Sequence, residues 1–174
     1  MKLFDLQGRL LDLFVIFDAM AVTLRKAISA DAKALKALDT VVPNDPARAR
    51  YIDTWLAEDD VLVAERNGEV VGYGVYNHAF FRQGQVDMLM VHPDYRGQRV
   101  GEVLLLALES LCDTPKFWVT TNLSNHRMQR LLTRLGYKPC GYIDELDPGD
   151  PELIFVKRLE GQTFAFGAAA RTGG

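Results

Sequence analysis

Cysteine and histidine are scarce in this chain of 174 residues, which has two of the former, Cys112 and Cys140, and three of the latter. Two cysteines in no CxxC spacing and three scattered histidines suggest neither a disulfide framework nor a zinc centre. Reduced thiols in a cytoplasmic protein are the expectation. Charge of one sign is lacking too: 20 Lys and Arg against 23 Asp and Glu give a formal −3. Such a chain has no general attraction for nucleic acid or an anionic membrane, so any anion it binds must be met by a local cluster. Long apolar runs are missing. The nearest to one, in LLDLFVIFDAMA, is bracketed by Asp12 and Asp18 and is too short for a membrane span or a secretory core. There is no GxxxxGK[ST] and no GxGxxG opening a first βα unit, which sets aside an ordinary nucleotide triphosphatase and a dinucleotide-binding domain.

What is there suits one globular domain, with 48% hydrophobic and 25% charged residues. Residues 1–20 read as a separate N-terminal extension. Leu3, Leu6, Leu10, Leu13 or Phe14, and Phe17 recur at helical spacing, which fits an amphipathic helix packed on the domain or on a partner chain, as in a homodimer. Alternatively, translation starts at Met20. The domain proper runs over 21–160, and 161–174, GQTFAFGAAARTGG, reads as a tail.

Within the domain AVTLRKA is a first strand and SADAKALKALD a helix with Ser29 or Asp31 near its cap. NDPARARYIDTWLAEDD is a second helix, opened by Asn44 or Asp45 with Pro46 in its first turn. VLVAERNGEVVGYGVY is two strands around Asn67-Gly68, a dipeptide that accepts positive φ in a two-residue hairpin turn. GQVDMLMV follows as a strand whose alternation puts Gln85, Asp87 and Leu89 on one face and Val86, Met88 and Met90 on the other. Val100, Val103, Leu104, Ala107, Leu108 and Leu111 make a helical apolar face, and KFWVTT is another strand. SNHRMQRLLTRLG is a helix capped by Ser124 or Asn125 and stopped by Gly136. KPCGYIDEL and ELIFVKRL close the domain as strands. The order β-α-α-β-β-β-α-β-α-β-β predicts an α/β (α+β) fold with a mixed, mostly antiparallel central sheet flanked by helices.

The stretch VHPDYRGQRVGEVLL, residues 91–105, joins a strand to a helix through two glycines and two arginines. Such a junction exposes the unpaired N–H groups and partial positive charge of a helix start. Gly97 and Gly101 allow close approach, and Arg96 and Arg99 add charge, so a phosphate or pyrophosphate is a natural guest. The plainer alternative is turn glycines beside solvated arginines.

VHPDYRGQRVG resembles the signature of the GNAT acetyltransferase superfamily, whose acetyl-coenzyme A loop reads [QR]-x-x-G-x-[GA] after a VxP strand end. Arg96 fills the first position and Gly101 the last, while Arg99 replaces the middle glycine. The element order also matches, and SNHRMQRLLTRLGY resembles the family's N-x-x-A-x-x-L-Y-x-[KR]-x-G-[FY] helix. The resemblance implies an acyl-CoA N-acyltransferase fold, acetyl-CoA as acyl donor and a primary amine of a small molecule or peptide as acceptor. Carried over by position, backbone groups of Met90 and Val91 pair with the pantetheine arm. The N–H groups of Arg96, Gly97, Gln98, Arg99, Val100 and Gly101 hold the pyrophosphate, Asn125 meets the pantetheine portion or simply caps its helix, and Arg130 approaches the phosphates or is solvated.

The chemistry departs from the pattern at two places. Gln85 stands where the histone-modifying branch has a catalytic glutamate, and Leu132 where the usual acid is tyrosine. Asp87, on the strand face of Gln85, is the candidate base or a residue that orders the substrate, and Tyr142 or water the candidate acid. Tyr137 reads as core. The five carboxylates between residues 144 and 152 form a solvated loop or an acidic rim suited to a cationic amine. The alternative to an enzyme is an acetyl-CoA-binding sensor or scaffold that has lost turnover.

Overall fold

The computed structural model describes residues 22–159; the expected N-terminal helix and C-terminal tail lie outside the described residues. The elements are β1 (Thr23–Lys26), α1 (Ala32–Leu38), α2 (Pro46–Glu58), β2 (Asp60–Arg66), β3 (Glu69–Phe80), β4 (Gln83–Val91), α3 (Val100–Leu111), β5 (Lys116–Asn122), α4 (His126–Arg134), β6 (Lys138–Ile143) and β7 (Glu152–Arg158). This is the order expected. Local chemistry explains most boundaries. The Asp45 carboxylate accepts from the Ala47 N–H at 2.8 Å ahead of Pro46, Asn67 and Gly68 take φ of +54° and +79°, and Gly136 at +86° ends α4.

The seven strands form one sheet in the order β1-β2-β3-β4-β5-β7-β6, antiparallel throughout except for β4 beside β5. A core lies on each face. On one, Leu104, Leu105 and Leu108 of α3 are fully buried against Leu62, Phe117, Val119 and Leu132, each side chain contributing roughly 1.5–3 kcal/mol. On the other, Leu35, Ile52 and Trp55 of α1 and α2 cover Val61, Val63, Tyr73 and Val75 of β2 and β3. Those helices stop there, so among the described residues little covers the same face of β5, β7 and β6, and Trp118, Thr120 and Ile154 are only half-buried.

Asp39 ties the α1–α2 connection to the sheet. Its side chain is fully enclosed and accepts from the Tyr73 hydroxyl at 2.5 Å, Arg48 Nε at 2.9 Å and the Val41 N–H at 2.8 Å. Burial pushes this carboxyl up, but the Tyr73 hydroxyl, the Val41 N–H and the Arg48 guanidinium outweigh it and leave it below the usual carboxylate range.

The alternation expected along β4 fails at Asp87. Val75 of β3 pairs with Met88 and the next residue, Tyr76, with Val86, so Asp87 is one residue too many on its strand. The bulge resets the faces. Leu89 joins Val86 and Val91 on the α3 side, whereas Met88 and Met90 share the α2 side with Asp87.

Gly72 lets α3 approach the sheet, since a Cβ there would lie 3.0 Å from the Met90 carbonyl oxygen, 3.1 Å from Leu104 and 3.2 Å from Val100. Gly72→Val is therefore expected to lower stability by about 2–3 kcal/mol through overpacking, seen in urea titration as a lower midpoint with an unchanged slope.

Candidate active site

The geometry of the site begins with two strands that part. β4 and β5 pair only at Gln85 with Trp118 and Val86 with Val119. Beyond the bulge β4 keeps β3 along one edge and, among the described residues, has no strand along the other. Buried backbone polar groups require partners, and this edge faces a cleft of about 1130 Å³. The walls are the end of β4, the turn from Tyr95 to Gly101, and one face of α4.

Of the residues singled out in the sequence, Met90, Val91, Arg96, Gly97, Arg99, Val100, Gly101, Asn125 and Arg130 line this cleft. Gln98 does not; its side chain joins Arg66 to the Asp94 carbonyl, at 2.7 and 2.8 Å. The Arg96 Nε donates to the Val91 carbonyl at 3.0 Å, so that oxygen is already engaged by the protein. Asn125 is the N-cap of α4, accepting from the Met128 N–H at 3.2 Å, while its residue also borders the cleft.

The turn delivers α3 with its N-terminus toward the cavity. Arg99, the N-cap, lies in the left-handed region at φ +64° and makes no side-chain cap. The first helical N–H groups thus carry no side-chain partner from the N-cap, and the positive end of the helix dipole is available to an anion. Gly101 leaves room, since a Cβ there would meet nothing nearer than Val91 at 3.5 Å.

Among the lining residues that sequence reasoning missed, three are charged. Arg127 and Arg134 join Arg130 on the cleft face of α4, at the 3- and 4-residue spacing of one helical stripe. Glu102, in the first turn of α3, is 8% exposed and accepts from Arg99 Nη2 and Arg134 Nη2, both at 2.7 Å. The Arg99 guanidinium holds this carboxyl below the usual range, against the cost of burial and with help from Arg134. Five arginines and one carboxylate around the cavity make it a receptor for a polyanion.

A second cluster of polar side chains gathers at the bulge. Asp87 accepts from Trp55 Nε1 at 2.7 Å and from Gln85 Nε2 at 3.3 Å, and Gln85 also donates to Asn77 Oδ1 at 2.9 Å. The Arg48 guanidinium stacks 4.9 Å from the Trp55 ring, so the Asp39 network braces Asp87 as well. Tyr142 is not brought here. It stands 65% exposed on β6, outside the residues that line the cleft, because β6 is the outermost strand beyond β7. Leu132 is fully buried core. Tyr137, 2% exposed, donates to Glu109 at 2.9 Å and belongs to the core, as expected.

Comparison with known proteins agrees with this architecture. Residues 35–137 match the sequence profile described as the Acetyltransferase (GNAT) family. The chain is 32% identical over 99 residues to a Bacillus subtilis (strain 168) protein with the provisional name [ribosomal protein bS18]-alanine N-acetyltransferase. That alignment spans 53% of this chain and 64% of the relative's length. A GNAT-family acetyltransferase of Bacillus cereus ATCC 10987 superimposes with TM-score 0.73 at 27% identity, covering 79% of this chain and 96% of the other. The ribosomal-protein-S18-alanine N-acetyltransferase of Escherichia coli has the same fold, with TM-score 0.70 at 17% identity over 83% and 99% of the two chains.

The left-handed Arg99 gives a direct test of the turn. Arg99→Gly and Arg99→Ala both lose the ion pair to Glu102, but only alanine retains a Cβ at φ +64°. The glycine variant is expected to be the more stable of the two by up to about 1 kcal/mol, measured by chemical denaturation.

Proposed function

Because the chain belongs to the Acetyltransferase (GNAT) family, we propose that it transfers the acetyl group of acetyl-CoA to a primary amine, the terminal amine of a protein chain being the leading acceptor class. The observation that carries the donor assignment is the open edge of β4 running into a cleft with five arginines and a helix N-terminus. An extended amide-bearing arm can add to that edge as a strand would, and a pyrophosphate suits the far end. Acetyl-CoA has both parts and supplies an activated thioester carbonyl. The 32% identical relative, named for alanine acetylation on a ribosomal protein, supports that acceptor class. A small-molecule amine is the alternative acceptor. Free Cys112 and Cys140 support the cytoplasm as the working compartment, and no helix among the described residues is long and apolar enough to cross a membrane.

Residue roles follow from position. The backbone N–H groups of the turn from Gly97 to Gly101 hold the pyrophosphate, assisted by Arg127, Arg130 and Arg134 on α4. Met90 and Val91 offer backbone groups to the arm, except the Val91 carbonyl taken by Arg96. Asn125 borders the same path. Asp87, fixed by Trp55 and Gln85, holds the cationic acceptor at the bulge. Leu132 has no hydroxyl to give the departing thiolate, so its proton comes from the attacking amine or from water. Holding amine and thioester in attack geometry supplies much of the acceleration in such a site.

Calorimetric titration with acetyl-CoA and a thiol-release assay across amines and N-terminal peptides test this reading. Binding without turnover of any amine would favour a sensor or scaffold instead. Gly101→Ala should bind acetyl-CoA nearly as the wild type does, because the Cβ has room. Gly101→Glu should lose roughly 30-fold or more in affinity, through bulk and like charge beside the pyrophosphate; unchanged affinity would reject the turn as its site. Asp87→Asn is expected to raise the acceptor KM roughly 10- to 100-fold, as for one lost charge-assisted hydrogen bond, while leaving acetyl-CoA affinity unchanged.

A further inference from the structure

Acetyl transfer to an amine that arrives protonated needs a proton acceptor, and neither Gln85 nor Leu132 can be one. Asp87 already accepts from the Trp55 and Gln85 side chains, which suits it to holding an ammonium. The parting strands have a second lip. The register ends with Val86 against Val119, so the next residues, Asp87 on β4 and Thr120 on β5, flank the point where the strands part. Phe117, Val119 and Thr121 point into the α3 core, so Thr120 points to the open face that Asp87 shares. Glu152, the first residue of β7, pairs with Asn122, two residues beyond Thr120, and so stands diagonally across from Thr120 on the same face of the sheet.

Glu152 differs from the carboxylates before it. Asp147 accepts from Asn122 Nδ2 at 2.8 Å, and Asp150 from the Ser124 N–H and hydroxyl at 2.8 and 2.7 Å. Those two fold the β6–β7 loop back on the β5–α4 turn and leave Glu152 half-buried between Asn122 of β5 and Ile143 of β6. Burial raises its carboxyl above the usual range, opposed by the Thr120 hydroxyl and reinforced by the charges of Asp147 and Asp150. A carboxylate raised in this way is a better base near neutral pH than a solvated one.

We propose that Glu152, on the far lip of the strand split from Asp87, accepts the proton of the acceptor ammonium directly or through one water. The inference rests on the acetyl-transfer reading above. In the step, the ammonium gives one proton to the Glu152 carboxylate. The neutral amine nitrogen forms a bond to the thioester carbonyl carbon as the carbon–sulfur bond breaks. The second proton leaving nitrogen goes to the thiolate, giving amide and free thiol, and Glu152 later returns its proton to solvent.

The test uses the full chain, acetyl-CoA and whichever amine turns over in the panel, with folding checked by thermal melting. Glu152→Gln should keep acetyl-CoA affinity and lose ~10²–10⁴-fold in kcat/KM, together with the acidic limb of its pH profile. Glu152→Asp, which keeps the acid but shortens its reach, should recover part of the rate and the limb. Thr120→Val provides an independent reading if Glu152→Gln fails to fold. The Thr120 hydroxyl lowers the Glu152 pKa, so its removal should move the acidic limb to higher pH, whereas a structural role would leave the limb in place. A folded Glu152→Gln protein with wild-type kcat, KM and acidic limb overturns Glu152 alone, as does a Thr120→Val limb that stays where it was. A wild type that binds acetyl-CoA yet turns over no amine overturns the acetyl-transfer reading and Glu152 with it.

Discussion

Two neighbouring strands that stay paired for only two residues govern this structure. A sheet normally satisfies its own backbone, and here β4 leaves the β5 ladder after Val86, so one of its edges must find partners elsewhere. The bulge at Asp87 coincides with the parting. Asp87 keeps the Trp55 side that it shares with Gln85, and the added residue sends Leu89 and Val91 to the opposite core. The start of the open edge and a carboxylate beside it therefore coincide at one added residue.

The other parts hold that opening in shape. Gly72 and Gly74 leave space for α3, whose Leu104 and Leu108 would otherwise meet a Cβ at 3.1 and 2.6 Å. The helix can then lie low enough to aim its N-terminus into the cleft. Arg99 takes a left-handed conformation to start it, a local cost of roughly 1–2 kcal/mol for a residue with a Cβ. Glu102 joins Arg99 to Arg134 and so links the turn to α4. On the other face the enclosed Asp39, with Arg48 and Tyr73, fixes the α1–α2 connection, and Arg48 in turn stacks on the tryptophan that holds Asp87. The turn beside the cleft and the Asp87 end are thus braced by separate ionic networks.

Much of this was legible in the sequence because it depends on local chemistry. Asn67-Gly68 announces a hairpin, Asp45-Pro46 a helix start, Gly136 a helix stop, and Arg96 to Gly101 a turn from strand to helix. The family signature extends those signals to the whole sheet. What could not be read depends on tertiary placement. Strict alternation along β4 hides a bulge, since nothing in GQVDMLMV marks Asp87 as an extra residue. Glu102 looks like the polar side of an apolar helix, and its burial is explained only by two arginines, one of them 32 positions away. Glu152 closes an acidic run that reads as solvated loop, and only the folding back of Asp147 and Asp150 onto β5 and α4 separates it from them. Tyr142 shows the converse: a tyrosine of suitable chemistry lies on a strand that the topology carries to the far edge.

The uncovered face of β5, β7 and β6 has an evolutionary consequence. Side chains such as Trp118, Thr120 and Ile154 are only half-buried there, and substitutions outside a packed core usually cost little stability. The cleft beside the turn, by contrast, is built from backbone geometry, tight glycine contacts and the two ion pairs of Glu102, which tolerate few changes. The two ends of one sheet are therefore under unequal constraint, and the face of β5, β7 and β6 is expected to drift fastest while the cleft stays fixed.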